Sequence, residues 1–175
     1  VVSAANSLVG SHSSDRVGDN IISLGNGNYV VSTTLWDNGA VADAGAVTWG
    51  NGTTGTTGVI SSANALVGSS ANDQVGNVWV LSNGNYVVRS ALWNNGAVVD
   101  AGAVTWGSGI AGVSGVITSA NSLVGSSASD MSSGYIDILQ NGNYVVRNQY
   151  WNNGGINDAG AVTWANGTTG VTGVI

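Results

Sequence analysis

Apolar positions fall in short runs along this chain, each bounded by Gly, Asn, Asp or Ser. The run Tyr86-Val87-Val88-Arg89-Ser90-Ala91-Leu92 alternates only loosely with polar residues. Loose alternation is the pattern of a strand whose two faces are both partly covered. The run follows Asn83-Gly84-Asn85, and an Asn-Gly step between two β-branched runs is the strongest short-range hairpin signal. The same words recur from Asn26 to Val31 with Leu35-Trp36 behind them, and from Asn141 to Val146 with Tyr150-Trp151 behind. Three such hairpins in one chain define a repeat.

Self-comparison gives a period of 57 to 58 residues, in which Asn6, Asn64 and Asn121 correspond, as do Asp15, Asp73 and Asp130. Trp36, Trp93 and Trp151 share a position, and so do Asp43, Asp100 and Asp158, and Trp49, Trp106 and Trp164. A fixed period of this length indicates an array, solenoid or propeller. The middle copy predicts four strands: Val78 to Ser82, Tyr86 to Leu92, Ala103 to Trp106 and Gly115 to Ser119. Leu123-Val124 is the apolar anchor of the segment that returns to the next unit. The units run over 1–58, 59–115 and 116–175. Four strands in about 58 residues make a propeller blade or one face of a prism, and such a unit must stack on a neighbour to bury its apolar face. The expected fold is therefore all-β, with three tandem four-stranded, propeller-blade-like units; a threefold β-prism is the alternative.

Composition supports the same class. Lys and Glu, both strong helix formers, are absent, while Gly supplies 28 residues and Trp seven. Val, Thr, Tyr and Trp favour strands, and Gly, Asn, Asp and Ser favour turns. With 43% hydrophobic residues the chain can supply a core. The formal charge of −6, nine Asp against three Arg, leaves no basic stripe for nucleic acid. No apolar run reaches the ~20 residues of a membrane-spanning helix. The chain has no Cys, which excludes disulfides and thiolate metal sites. It begins with neither an initiator Met nor a signal peptide, and both ends fall inside the fourth strand, so an excerpt of a longer array is expected.

The words Leu66-Val67-Gly68-Ser69-Ser70-Ala71-Asn72-Asp73-Gln74-Val75-Gly76, then the Asn-Gly turn, Tyr86-Val87-Val88 and Gly102-Ala103-Val104-Thr105-Trp106, resemble FG-GAP repeats. Those repeats are the blades of integrin alpha-subunit propellers. The units are also similar to tandem repeats in long bacterial surface proteins of the filamentous haemagglutinin type. The resemblance implies a secreted, cell-surface, array-forming adhesin segment. FG-GAP blades often carry an Asp-rich calcium loop around this hairpin. Here the loops read Gly25-Asn26-Gly27-Asn28, Ser82-Asn83-Gly84-Asn85 and Gln140-Asn141-Gly142-Asn143. Calcium takes six to eight oxygens, usually with several carboxylates, so no metal and no cofactor is expected. Closed propellers hold roughly four to eight blades, so three units must oligomerise, stack openly or form the prism.

Catalysis is not expected. His12 is the only histidine, and its counterparts are Ser70 and Ser127, whereas a nucleophilic triad needs a base and an orienting acid. Asp15, Asp73 and Asp130 recur at turn positions, which suggests Asx-turn geometry. Trp49, Trp106 and Trp164 read as core, each indole still needing a partner for its N–H. Trp36, Trp93 and Trp151, with Asp43, Asp100 and Asp158 on the following loop, are the candidate ligand-binding residues: a ring beside Asn and Asp suits a sugar face. The competing reading makes these Trp wedges between units and these Asp caps of their own loop. Asn51-Gly52-Thr53 and Asn166-Gly167-Thr168 match a glycosylation sequon and are read as turn chemistry. The expected function is thus a non-catalytic structural or adhesive module whose partners are neighbouring repeats or copies of itself. A lectin-like domain binding glycans is the alternative, and an Asp-dependent hydrolase a distant third.

Overall fold

The computed structural model describes residues 1–132 and 134–175, and these contain fifteen β-strands and no helix. In chain order β1 is Leu8–Val9, β2 Asn20–Ser23, β3 Tyr29–Thr33, β4 Ala46–Gly50, β5 Gly58–Val59 and β6 Ala65–Val67. They are followed by β7 Asn77–Val80, β8 Tyr86–Ser90, β9 Ala103–Gly107, β10 Gly115–Val116 and β11 Ser122–Val124. The last four are β12 Tyr135–Ile138, β13 Tyr144–Asn148, β14 Ala161–Ala165 and β15 Gly173–Val174.

The expected hairpins form at the Asn-Gly turns. β2 pairs antiparallel with β3, β7 with β8, and β12 with β13, and each hairpin adds an antiparallel third strand, β4, β9 or β14. The all-β, blade-like units form as expected, and their sheets extend further by sharing strands between repeats. The first full sheet has the order β10-β6-β4-β3-β2 and the second β15-β11-β9-β8-β7, so each is five-stranded and borrows from the following repeat. The return segment Ala65–Val67 is a fully buried strand that pairs antiparallel with β4. The strand expected from Gly115 to Ser119 shortens to Gly115–Val116, which pairs parallel with β6. Two incomplete sheets flank this pair. β1 and β5 form a parallel two-stranded ribbon, and β12, β13 and β14 form a three-stranded sheet.

The blade-like sheets stack in chain order. One core cluster joins Val30 and Val47 of the first full sheet, and Leu24 just after β2, to Tyr86, Val88 and Ala103 of the second. A second joins Val87, Val104 and Leu123 to Ile136, Tyr144 and Val146 of the three-stranded sheet. A third covers the opposite face of the first sheet with Trp36, Ile60 and Val67, against which Leu8 and Val17 pack. Alternate residues of β8 thus enter different cores, Tyr86 and Val88 one way and Val87 the other. That explains why the run reads as nearly continuous apolar sequence. Every sheet covered on both faces is held by its neighbours, the quasi-one-dimensional packing of repeat arrays.

Candidate functional site

The residues with the most ligand-like chemistry converge on contacts between repeats. In the turn after β7, Asn83 Oδ1 accepts the Asn85 N–H at 3.1 Å, closing an Asx turn. Asn83 Nδ2 and Asn85 Nδ2 both donate to the carbonyl of Gly167 in the next repeat, each at 2.8 Å, and Trp106 Nε1 donates to the same oxygen at 2.9 Å. One repeat earlier Asn26, Asn28 and Trp49 clasp the carbonyl of Gly109 in the same way, at 2.9, 2.9 and 3.0 Å. The glycine amide faces its own repeat: Gly109 N–H donates to Asn85 Oδ1 at 2.9 Å and Gly167 N–H to Asn143 Oδ1 at 3.0 Å. Gly109 and Gly167 therefore each tie two repeats together through both backbone groups.

The clasp also fixes which atoms the hairpin presents. The hairpin amides point N–H groups, not oxygens, at the neighbouring repeat, and the Asn26, Asn83 and Asn141 oxygens accept the amide two residues on. A hard cation needs oxygen ligands. The melting midpoint is accordingly expected to stay the same in millimolar calcium and in chelator; a shift of several degrees between the two would contradict this assignment.

The recurrent Asp residues form a second set of pins, larger than the expected Asx turns. Asp73 is fully buried; its Oδ2 accepts the N–H groups of Ser69 and Ser70 at 2.9 and 2.8 Å, and its Oδ1 accepts that of Asn94 at 3.0 Å. Asp15 does the same with Ser11, His12 and Asp37, and Asp130 with Ser126, Ser127 and Asn152. Each carboxylate thus fastens the linker before the hairpin to the loop behind its second strand. Burial pushes the Asp73 carboxyl above the ordinary carboxylate range, opposed by the three N–H donors and reinforced by the Asp100 charge. His12, Asp15 and Asp37 offer atoms within 4.8 Å of one another. Asp15 there already accepts three backbone N–H groups, and the other repeats hold Ser70 with Asn94 and Ser127 with Asn152.

The candidate ligand residues separate. Trp36 and Trp93 are 2% and 4% exposed, so their ring faces belong to the core and offer no sugar platform; Trp151 is half-buried. Asp43, Asp100 and Asp158 take left-handed backbone conformations, with φ of 51°, 53° and 52°. Their amides donate to Asp37, Asn94 and Asn152 side chains across the loop, as in the loop-capping reading. Trp49 and Trp106 are half-buried, pack against the cores between the sheets, and donate their indole N–H to the glycine clasp. Asn51 and Asn166 accept the N–H groups of Thr53 and Thr54 and of Thr168 and Thr169, which is turn chemistry.

A family model described as a repeat of unknown function, DUF5650, matches residues 1–19, 23–77, 80–134 and 138–175. The chain belongs to that repeat family. No curated protein and no solved structure matches it. The likeness to FG-GAP blades rests on the sequence words alone.

Proposed function

We propose that this chain is a non-catalytic structural module of an extracellular or cell-surface repeat protein, in which the packing of one repeat on the next is itself the task. The observation that carries the reading is the clasp: at two successive hairpins, two Asn amides and one indole N–H close on one backbone carbonyl of the next repeat. Side chains that would suit a ligand are thereby committed to the array. The resemblance to FG-GAP blades and to filamentous bacterial adhesins supports an adhesive setting outside the cell. The same commitment, with the burial of Trp36 and Trp93, weighs against a lectin.

In an array, stability is the sum of repeat terms and nearest-neighbour terms, so lengthening adds stability. Two copies of this sequence joined in tandem are therefore expected to melt higher and unfold with a larger denaturant slope than one copy. A tandem chain that melts as two independent halves would overturn the reading.

A further inference from the structure

Eight Asn-Gly steps lie along the chain, and they differ in how their reactive atoms are held. Where glycine follows asparagine, its amide nitrogen can attack the side-chain carbonyl carbon, because no β-carbon hinders the close approach. We propose that Asn38 and Asn95, on the long loop behind the second strand of their repeats, are sites of spontaneous deamidation, a modification that frees each loop from the following repeat. This goes beyond the structural reading above and does not depend on where the array works.

Hydrogen bonding sorts the eight steps. At Asn83 the side-chain oxygen accepts the Asn85 N–H, the amide nitrogen sits in the clasp, and the Gly84 N–H donates to the Leu81 carbonyl at 3.0 Å. Asn141 Oδ1 likewise accepts the Asn143 N–H, and the Gly142 N–H donates to Leu139. Asn26 has both ends of its side chain held, on Asn28 and Gly109. At Asn51 and Asn166 the oxygen takes two Thr N–H groups, and the following glycine N–H is spent on Asn28 or Asn143. Asn38 and Asn95 stand apart. Their amide nitrogens donate to the buried Gly68 and Gly125 carbonyls of the following repeat, at 3.0 and 2.9 Å. Their Oδ1 atoms, and the Gly39 and Gly96 N–H groups, find no partner among the described residues. Both glycines are exposed at the tips of two-residue turns, which paired backbone bonds close between Asn38 and Val41 and between Asn95 and Val98. Opening such a tip costs little beside opening a sheet. Asn153-Gly154 is the third copy of this step.

Once the tip opens, the Gly96 nitrogen reaches Asn95 Cγ. The N–Cγ bond forms as the Cγ–Nδ2 bond breaks; solvent takes the Gly96 proton and returns it to Nδ2, which departs as ammonia. Water then opens the cyclic imide, giving aspartate or the isomer whose main chain runs through Cγ. Neither product has a side-chain N–H for Gly125. A carboxylate there meets a buried carbonyl oxygen and leaves that acceptor unpaired. The isomer also lengthens the turn that Asn95 and Val98 bridge. The long loop thus loses its hold on the next linker, while the clasp at Asn83 keeps its amide.

Peptide mapping of the intact folded chain by mass spectrometry, during long incubation at neutral and mildly alkaline pH, tests this. Aspartate and isoaspartate are expected first at Asn38, Asn95 and Asn153, roughly tenfold faster than at Asn83. In denaturant the eight steps are expected to converge on similar rates. Asn95→Asp supplies the aspartate product directly, and its melting midpoint is expected to fall by several degrees. Asn95→Gln keeps an amide whose larger ring closes slowly, so modification at that position should stop. A folded chain in which Asn83 converts as fast as Asn95 overturns the proposal, as does one in which Asn38 and Asn95 stay intact while the denatured chain converts. An Asn95→Asp chain that melts with the wild type also overturns it, since the bond to Gly125 would then hold nothing.

Discussion

A chain carrying Gly109→Ala is expected to melt about 6–16 °C below the parent, a loss of roughly 3–4 kcal/mol. Gly109 does not have a positive φ, so glycine's conformational freedom is not what the site requires. The requirement is close approach: a methyl there would overlap the carbonyl oxygen of Gly84 and crowd Asn26 Nδ2 at 3.1 Å. Because the obstacle is backbone, the loop must move away, and three donors then lose their shared acceptor. Each bond contributes about 1 kcal/mol net, and each donor left buried without a partner costs more. Gly155→Ala is the matched control, with no atom within 4 Å of the added methyl and an ordinary φ; it should change stability by less than about 0.5 kcal/mol. Thermal melts of the two variants decide the matter, and equal midpoints would remove the clasp from the account of stability.

The period and hairpins were legible because they are local: an Asn-Gly step and the run behind it specify β3, β8 and β13 without reference to anything distant. The sharing of sheets was not legible. β6 and β10 are three and two residues long, and they pair in parallel across a separation of 49 residues, Leu66 with Gly115. A two-residue strand carries no periodicity, and its partner is chosen by the stack. The two Trp classes were legible in part. Trp36 and Trp93, weighed as sugar platforms against a structural wedge, are buried, while Trp49 and Trp106, read as core with an indole N–H to satisfy, pack half-buried against the core and spend that N–H on a glycine carbonyl of the next repeat. A signal for the clasp existed in the spacing: each Asn-Gly-Asn hairpin is followed by Trp49, Trp106 or Trp164 and, three residues later, by Gly52, Gly109 or Gly167. Taken one repeat at a time, those glycines look like ordinary turn residues, and only the neighbouring repeat gives them a second role.

Replacing Asp73 with Ala is expected to lower stability by roughly 3–5 kcal/mol, because three backbone N–H groups lose their acceptor at a fully buried site. Asp73→Asn keeps one oxygen and loses about 1–2 kcal/mol, since its amide group must face one of those donors. The pH dependence separates charge from geometry. Burial raises the folded-state pKa of Asp73 above its ordinary 3.8. The native state therefore holds this proton at pH values where the unfolded chain has released it, so the group's stabilising contribution is complete below the unfolded pKa. It is lost as pH rises through the higher folded value. Asp73→Asn cannot titrate there, so the gap between wild type and Asn variant should narrow as pH climbs out of the acid range. Denaturant midpoints of both proteins from pH 3 upward measure that gap. A gap that widens instead would mean that the three N–H donors outweigh burial and hold the carboxyl below its ordinary value.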